Sequence, residues 1–129
     1  MSAFVDRLQA ACESFQSLLC VGLDVDPARM PGTDAFQLNR AVVDATADLV
    51  CAYKPNSAFY EAEGEAGLRA LKKTILYINE TAPEIPIILD AKRADIGDTN
   101  EAYARAIFDE LGVDAVTVQP YVGSVARAR

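Results

Sequence analysis

Apolar positions along the chain follow two rhythms, helical stripes and short unbroken runs, and the two alternate. Phe4, Leu8, Ala11 and Phe15 are spaced by four, three and four residues, which marks one helical face. The run SLLCVGLDVDP follows, closed by acid and Pro27, and predicts a buried strand over about Leu18 to Asp24. Asp26 to Thr33, with Pro27, Pro31 and Gly32, predicts a loop. Leu38, Ala41, Val42, Ala45 and Leu49 predict a helix from Asp34 to about Asp48, and Leu49 to Lys54 a second strand stopped by Pro55. A loop is expected from there through Gly64. Leu68, Leu71, Ile75, Ile78 and Ala82 give a third stripe, ended by Pro83. Ile85 to Lys92 is the clearest strand, rich in β-branched residues. Asp98 with Glu101 predicts an acidic capping box. It opens a helix carrying Tyr103, Ile107 and Leu111, with Gly112 just past its end. Ala115 to Gln119 is a fourth strand, closed by Pro120.

The order is one helix, then three βα units, then a strand. The strand-end residues Asp24, Lys54, Asp90 and Gln119 stand 30, 36 and 29 residues apart. That period implies right-handed crossovers and a parallel sheet. A doubly wound sheet and part of a (β/α)₈ barrel both fit. The charges favour the barrel, which gathers the C-terminal ends of its strands around one mouth. The first three strands end in Asp24, in Lys54, and in Asp90 with Lys92. Asp90 and Lys92 share a strand face, leaving Ile87, Leu89 and Ala91 to pack under helices. The first turn, DVDPARMPG, has no G-x-G-x-x-G. A whole barrel takes about 250 residues. The expected fold is therefore α/β, a partial (β/α)₈ barrel of about four parallel strands with an N-terminal helix. Residues 1–129 would be the N-terminal half of one barrel domain. Its inner face, with Gly22, Ala52 and Ile88, is then expected to be uncovered.

Composition narrows the chemistry. The chain has 129 residues, 51% of them apolar, and 12 basic against 19 acidic side chains give a net charge of −7. Such a balance predicts a folded domain and offers no footprint for nucleic acid or anionic membranes. There is no His, which removes His-based acid–base catalysis and His-containing zinc sites. Cys12, Cys20 and Cys51 are odd in number with no C-x-x-C, so a disulfide framework or zinc ribbon is not expected. Cys20 and Cys51 are expected to be core thiols. Asp6 and Arg7 stand where a signal peptide needs an apolar core, so a cytoplasmic location is expected.

The stretch Asp90-Ala-Lys92-Arg-Ala-Asp95-Ile96-Gly-Asp-Thr99 carries the densest charge. In isolation it reads as a solvated strand end. Set at the end of an apolar strand beside Asp24 and Lys54, it predicts a concave array of opposed charges. At ~4 Å and an effective dielectric of ~20, each pair is worth about 4 kcal/mol before desolvation. The lysines would hold the carboxylates ionised. Such an array could give a proton and present negative charge to a substrate without a metal.

DAKRADIGDT, together with LCVGLDVDP and YKPNSAFYEAEG, strongly resembles the signatures of the orotidine 5′-phosphate decarboxylase family. The spelling is similar to its longer-chain bacterial branch, and the resemblance covers nearly all of residues 15–123. It implies decarboxylation of orotidine 5′-phosphate to uridine 5′-phosphate in pyrimidine biosynthesis. Lys92 would donate the proton to C6, and Asp90 would face the departing carboxylate. Lys54 and Asp95 would complete the alternating array, and Asp24 with Lys54 would bind the ribose hydroxyls. Asp95, Ile96 and Thr99 would reach into a partner's site, so a homodimer is implied. No metal and no organic cofactor is implied. The family's phosphate grip comes from the second half of the barrel, so this stretch alone is expected to be inactive. Arg127 and Arg129 are read as terminal residues and not as a substitute phosphate site. Two alternatives stand beside this reading. One is a related sugar-phosphate lyase with the D-x-K-x-x-D core, against which Lys54 argues, because those relatives carry an acid at the second strand end. The other is a non-catalytic truncated product.

Overall fold

The computed structural model describes residues 3–26 and 29–121; Pro27, Arg127 and Arg129 lie outside them. The elements are α1 (Ala3–Phe15), β1 (Cys20–Gly22), α2 (Ala35–Thr46), β2 (Ala52–Lys54), α3 (Ser57–Ala62), α4 (Gly64–Thr81), β3 (Ile88–Arg93), α5 (Gly97–Ala104) and β4 (Ala115–Val118). Between α5 and β4 the helix continues as a π-helical segment, Arg105–Leu111. The order is the expected one, with one addition. The segment after Pro55 is not loop through Gly64 but contains α3. Its cap is Asn56, whose side chain accepts from the Ala58 N–H at 3.1 Å. Six residues just after a breaker are too few for a periodic stripe, so α3 left no apolar signal to find.

All strand pairings are parallel and sequential. Cys20 pairs with Ala52 and Gly22 with Lys54. β2 joins β3 through isolated bridges, Tyr53 to Ile87 and Asn56 to Asp90. There Tyr53 N–H donates to Pro86 O at 3.1 Å and Asp90 N–H to Pro55 O at 2.9 Å. β3 pairs with β4 through Ile88–Ala115 and Leu89–Val116. The strands run in the order β1-β2-β3-β4.

The core lies between this sheet and α2, α3, α4 and the π-helical segment. Tyr53, Ile87, Leu89 and Ala91 face Val43, Leu71, Ile75, Ile78 and Ile107, all of them buried. Ile87, Leu89 and Ala91 thus occupy the helical side, as their parity requires. Three polar side chains are sealed into the same layer. Asn39 of α2 donates to Tyr60 Oη of α3 at 2.8 Å and to Thr74 Oγ1 of α4 at 3.0 Å. Tyr60 in turn donates to Leu23 O at 2.6 Å, at the end of β1. Burial pushes the Tyr60 phenol up to about 12, against the opposing bond from Asn39. These bonds tie three helices to the residue before Asp24.

Several sequence expectations are corrected. Leu18 is 88% exposed and Leu19 is also exposed, because β1 begins only at Cys20, where β2 supplies a partner. Leu49 lies exposed in the turn after α2, and Leu68 is exposed at the start of the α4 stripe. Asp98 does not cap α5. That helix follows Ile96 with no side-chain cap bond, and the turn is closed instead by Asn100 Oδ1 accepting the Asp95 N–H at 2.8 Å. Gly112 ends the helical run at φ 75°, in the left-handed region expected there. Cys51 is buried but Cys20 is exposed, since β1 turns Cys20 and Gly22 to the uncovered side. Ala52 is not uncovered. α1 packs Leu8, Ala11, Cys12 and Phe15 over Cys51, Ala52 and Ile88, and Arg7 of α1 ion-pairs with Asp114 just before β4. α1 therefore lies across the N-terminal ends of the strands and leaves their C-terminal ends open.

Candidate active site

Asp90 is the centre of the open end. Its carboxylate is 13% exposed and spans two cations: Lys92 Nζ lies 2.7 Å from Oδ1 and Lys54 Nζ 3.3 Å from Oδ2. Thr117 Oγ1 also donates to Oδ1, at 2.7 Å. These contacts hold the Asp90 carboxyl down to about 2. The largest cause is the bond from Lys92, then that from Thr117, with Lys54 adding to them against burial. Lys92 itself is 65% exposed, so its ammonium stands on Asp90 while facing the open side.

β3 reaches this arrangement through a distortion. The register passes from Leu89–Val116 to Arg93–Val118, and Lys92 has φ +50°. Three residues of β3 therefore stand against one of β4. A side chain with a Cβ is uncommon at such a φ. Arg93 anchors the far side of the distortion, paired with Glu61 of α3 and set 5.6 Å over the Tyr103 ring of α5.

Asp24 lies at the same open end but is not ion-paired with Lys54. Its Oδ1 accepts the Asn56 N–H at 3.0 Å, two residues past Lys54. Lys54 O in turn accepts the Leu23 N–H at 3.2 Å. Asp95, Ile96 and Thr99 stand on the turn between β3 and α5. Asp95 Oδ1 accepts the Ile96 N–H at 2.7 Å, and none of the three is hydrogen-bonded to the Lys54–Asp90–Lys92 cluster. Within one chain the array is thus Lys54, Asp90 and Lys92, with Asp24 beside it and Asp95 apart. Sequence reading missed Thr117. Its signal is alternation along β4, where Thr117 lies between Val116 and Val118 on the face that carries Asp90.

Among the described residues no group of three or more His, Cys, Asp or Glu side chains is placed to hold a metal ion. Among them, too, no helix is long and apolar enough to cross a membrane.

The sequence profile of the orotidine 5′-phosphate decarboxylase / HUMPS family matches residues 17–128. The chain belongs to that family. The orotidine 5′-phosphate decarboxylase of Herpetosiphon aurantiacus is 55% identical over 126 residues, covering 93% of this chain and 46% of that protein. That of Roseiflexus castenholzii is 54% identical, covering 95% of this chain and 46% of its own length. The solved structure of Leishmania donovani OMP decarboxylase superposes with a TM-score of 0.76 at 40% identity, covering 94% of this chain and 45% of that one. The chain spans about half the length of the curated relatives it matches. The fold of this family member is a partial (β/α)₈ barrel, with four parallel strands in sequence order and an N-terminal helix.

Proposed function

We propose that this chain supplies the proton-transfer apparatus of an orotidine 5′-phosphate decarboxylase, serving pyrimidine biosynthesis. The observation that carries the reading is the Lys54–Asp90–Lys92 line at the open strand ends, with the Asp90 carboxyl held ionised between two cations. In the proposed reaction the bond between C6 and the carboxylate breaks and carbon dioxide leaves. The electron pair stays on C6. A proton passes from Lys92 Nζ to C6, giving uridine 5′-phosphate, and the resulting amine regains its proton from solvent. The ammonium meets a charge that grows only as the bond breaks, which is how an interaction lowers a barrier and does not merely tighten binding. Asp90 faces the substrate carboxylate and holds Lys92 in line. Asp24 and Lys54 bind the ribose hydroxyls. No metal or organic cofactor takes part.

Residues 1–129 form the N-terminal half of one barrel domain in this proposal, and the phosphate is gripped by residues outside the stretch matched here. Asp95, Ile96 and Thr99, which stay clear of their own chain's array, enter the site of a second subunit in a cytoplasmic homodimer. The exposure of Ile96 supports that placement. A sugar-phosphate lyase is the weaker reading, because Lys54 occupies the second strand end.

The test is decarboxylation of orotidine 5′-phosphate by the full-length protein carrying this sequence, beside its Lys92→Ala variant, with uridine 5′-phosphate affinity measured in parallel. The variant should lose turnover and keep nucleotide binding. Turnover retained within about tenfold, a barrier change of only ~1.4 kcal/mol, would remove Lys92 from the role.

A further inference from the structure

The mismatch between β3 and β4 falls on the candidate site. Asp90, Ala91 and Lys92 face the single residue Thr117, because pairing resumes only at Arg93 and Val118. A bulge of this kind leaves backbone groups without their ladder partners. Thr117 meets both ends of it. Its Oγ1 accepts the Lys92 backbone N–H at 3.0 Å and donates to Asp90 Oδ1 at 2.7 Å. A hydroxyl has one proton to give and lone pairs to receive with, so one side chain can serve the freed Lys92 N–H and the Asp90 carboxylate at once. The Lys92 ammonium reaches the same Oδ1.

We propose that Thr117 is a positioning residue for the reaction proposed above: its hydroxyl pins the β3 bulge, and so fixes the Lys92 ammonium against the Asp90 carboxylate. The kinetic part of this inference rests on that proposed function; the structural part does not. Thr117 acts through its neighbours. The charged groups facing Asp90 are Lys54 from β2 and Lys92 from β3, and β4 brings only this neutral hydroxyl. Removing it changes no charge. Valine has nearly the same shape and neither hydrogen bond, whereas serine keeps both.

The experiment uses the full-length protein with Thr117→Val and Thr117→Ser, and reads three quantities. Carbon-13 NMR follows the Asp90 carboxyl, assigned by its loss in Asp90→Asn. In Thr117→Val it should titrate higher by roughly half a unit or more, since a bond to the charged form is gone. In Thr117→Ser it should stay near the parent. The kcat for orotidine 5′-phosphate should fall about tenfold or more in the valine variant, with KM changed less than about threefold, and serine should restore it. A purely structural role would lower thermal stability without moving the carboxyl titration or separating kcat from KM. Parental titration and parental kcat in a folded Thr117→Val protein would overturn the proposal. Should the valine variant not fold, Thr117→Ala carries the same expectations. If the parent protein fails to decarboxylate, the proposed function falls, and the titration still judges the placement of Thr117.

Discussion

Lys92 sets its ammonium 2.7 Å from Asp90 Oδ1 while its own backbone stands at φ +50°, so the two side chains meet across a bulge and not along a regular strand. Ordinary alternation would put residues two apart on one face without bringing their ends together. Here the turned backbone and the shared oxygen make one unit of them. A lysine held at positive φ costs on the order of 1–2 kcal/mol, and the ion pair and the Thr117 bonds offset it. Strain retained at a cluster of charged groups is a recurrent mark of sites where geometry serves chemistry.

Asp90→Asn tests that unit through charge alone. The amide can still accept from Thr117, but Lys54 and Lys92 lose their common counterion. Bonds to charged groups are worth about 1.5–3 kcal/mol, so the folding free energy should fall by roughly that amount in urea unfolding. Turnover by the full-length protein should drop by about a hundredfold or more, equivalent to ~2.7 kcal/mol in the barrier. Unaltered turnover would count against any role for the Lys54–Asp90–Lys92 line in the reaction.

The same carboxyl fixes an acid limb of stability. Its folded value of about 2 lies below the ordinary 3.8. The unfolded chain therefore takes up the proton first as pH falls. The contribution is complete above about pH 4 and disappears as pH drops through about 2. The stability difference between parent and Asp90→Asn should be constant from neutrality to about pH 4 and shrink below it. A difference that ignores pH in that range would show that Asp90 is not ionised by its partners in the fold.

Where periodicity was long, the sequence disclosed the fold. The α4 stripe put Leu71, Ile75 and Ile78 in the core, and the parity of Ile87, Leu89 and Ala91 named the helical face of β3. What stayed hidden depended on partners far away in sequence. The bulge at Asp90–Lys92 is set by Thr117, 25 residues beyond Lys92, and no local pattern in β3 announces it. Asn39 reads as a polar break in the α2 stripe, yet Tyr60 and Thr74 bring it into the core. Cys20 looked like a core thiol because its neighbours are apolar, but the face it occupies is covered only where α1 reaches. The candidate site was legible as residue types at strand ends. Its internal order, with Asp24 and Asp95 outside the ion-paired cluster, was not.

The open edges give a third expectation. Among the described residues β1 and β4 each pair on one side only, and the unpaired N–H and C=O groups of an open edge recruit other strands. Leu18, Leu19 and Val118 are exposed on or next to those edges. A polypeptide of these 129 residues alone should self-associate in sedimentation velocity and show no orotidine 5′-phosphate turnover above background. A monodisperse monomer with cooperative unfolding and turnover would overturn both the edge argument and the proposal that this stretch is half of its working barrel.

Gly67 offers a test in which two effects compete with opposite sign. It lies inside α4, where alanine is favoured over glycine by about 1 kcal/mol. Propensity alone therefore predicts that Gly67→Ala stabilises the protein. Packing predicts the reverse. A Cβ there would run into the Tyr60 carbonyl oxygen and stand 2.8 Å from Glu63 Cβ, and the obstacle at Tyr60 is backbone, which cannot swing aside. α3 and α4 would have to part, at a cost of about 1–3 kcal/mol typical of overpacking; against the roughly 1 kcal/mol from propensity the clash should win, with a net loss of up to about 2 kcal/mol. The displacement would also reach the site, because Tyr60 holds Leu23 O and Leu23 precedes Asp24. Thermal unfolding of Gly67→Ala should show a lower midpoint, and nucleotide affinity should weaken along with it. A raised midpoint would mean that α3 yields freely, and that its contact with α4 does not position the Asp24 side of the open end.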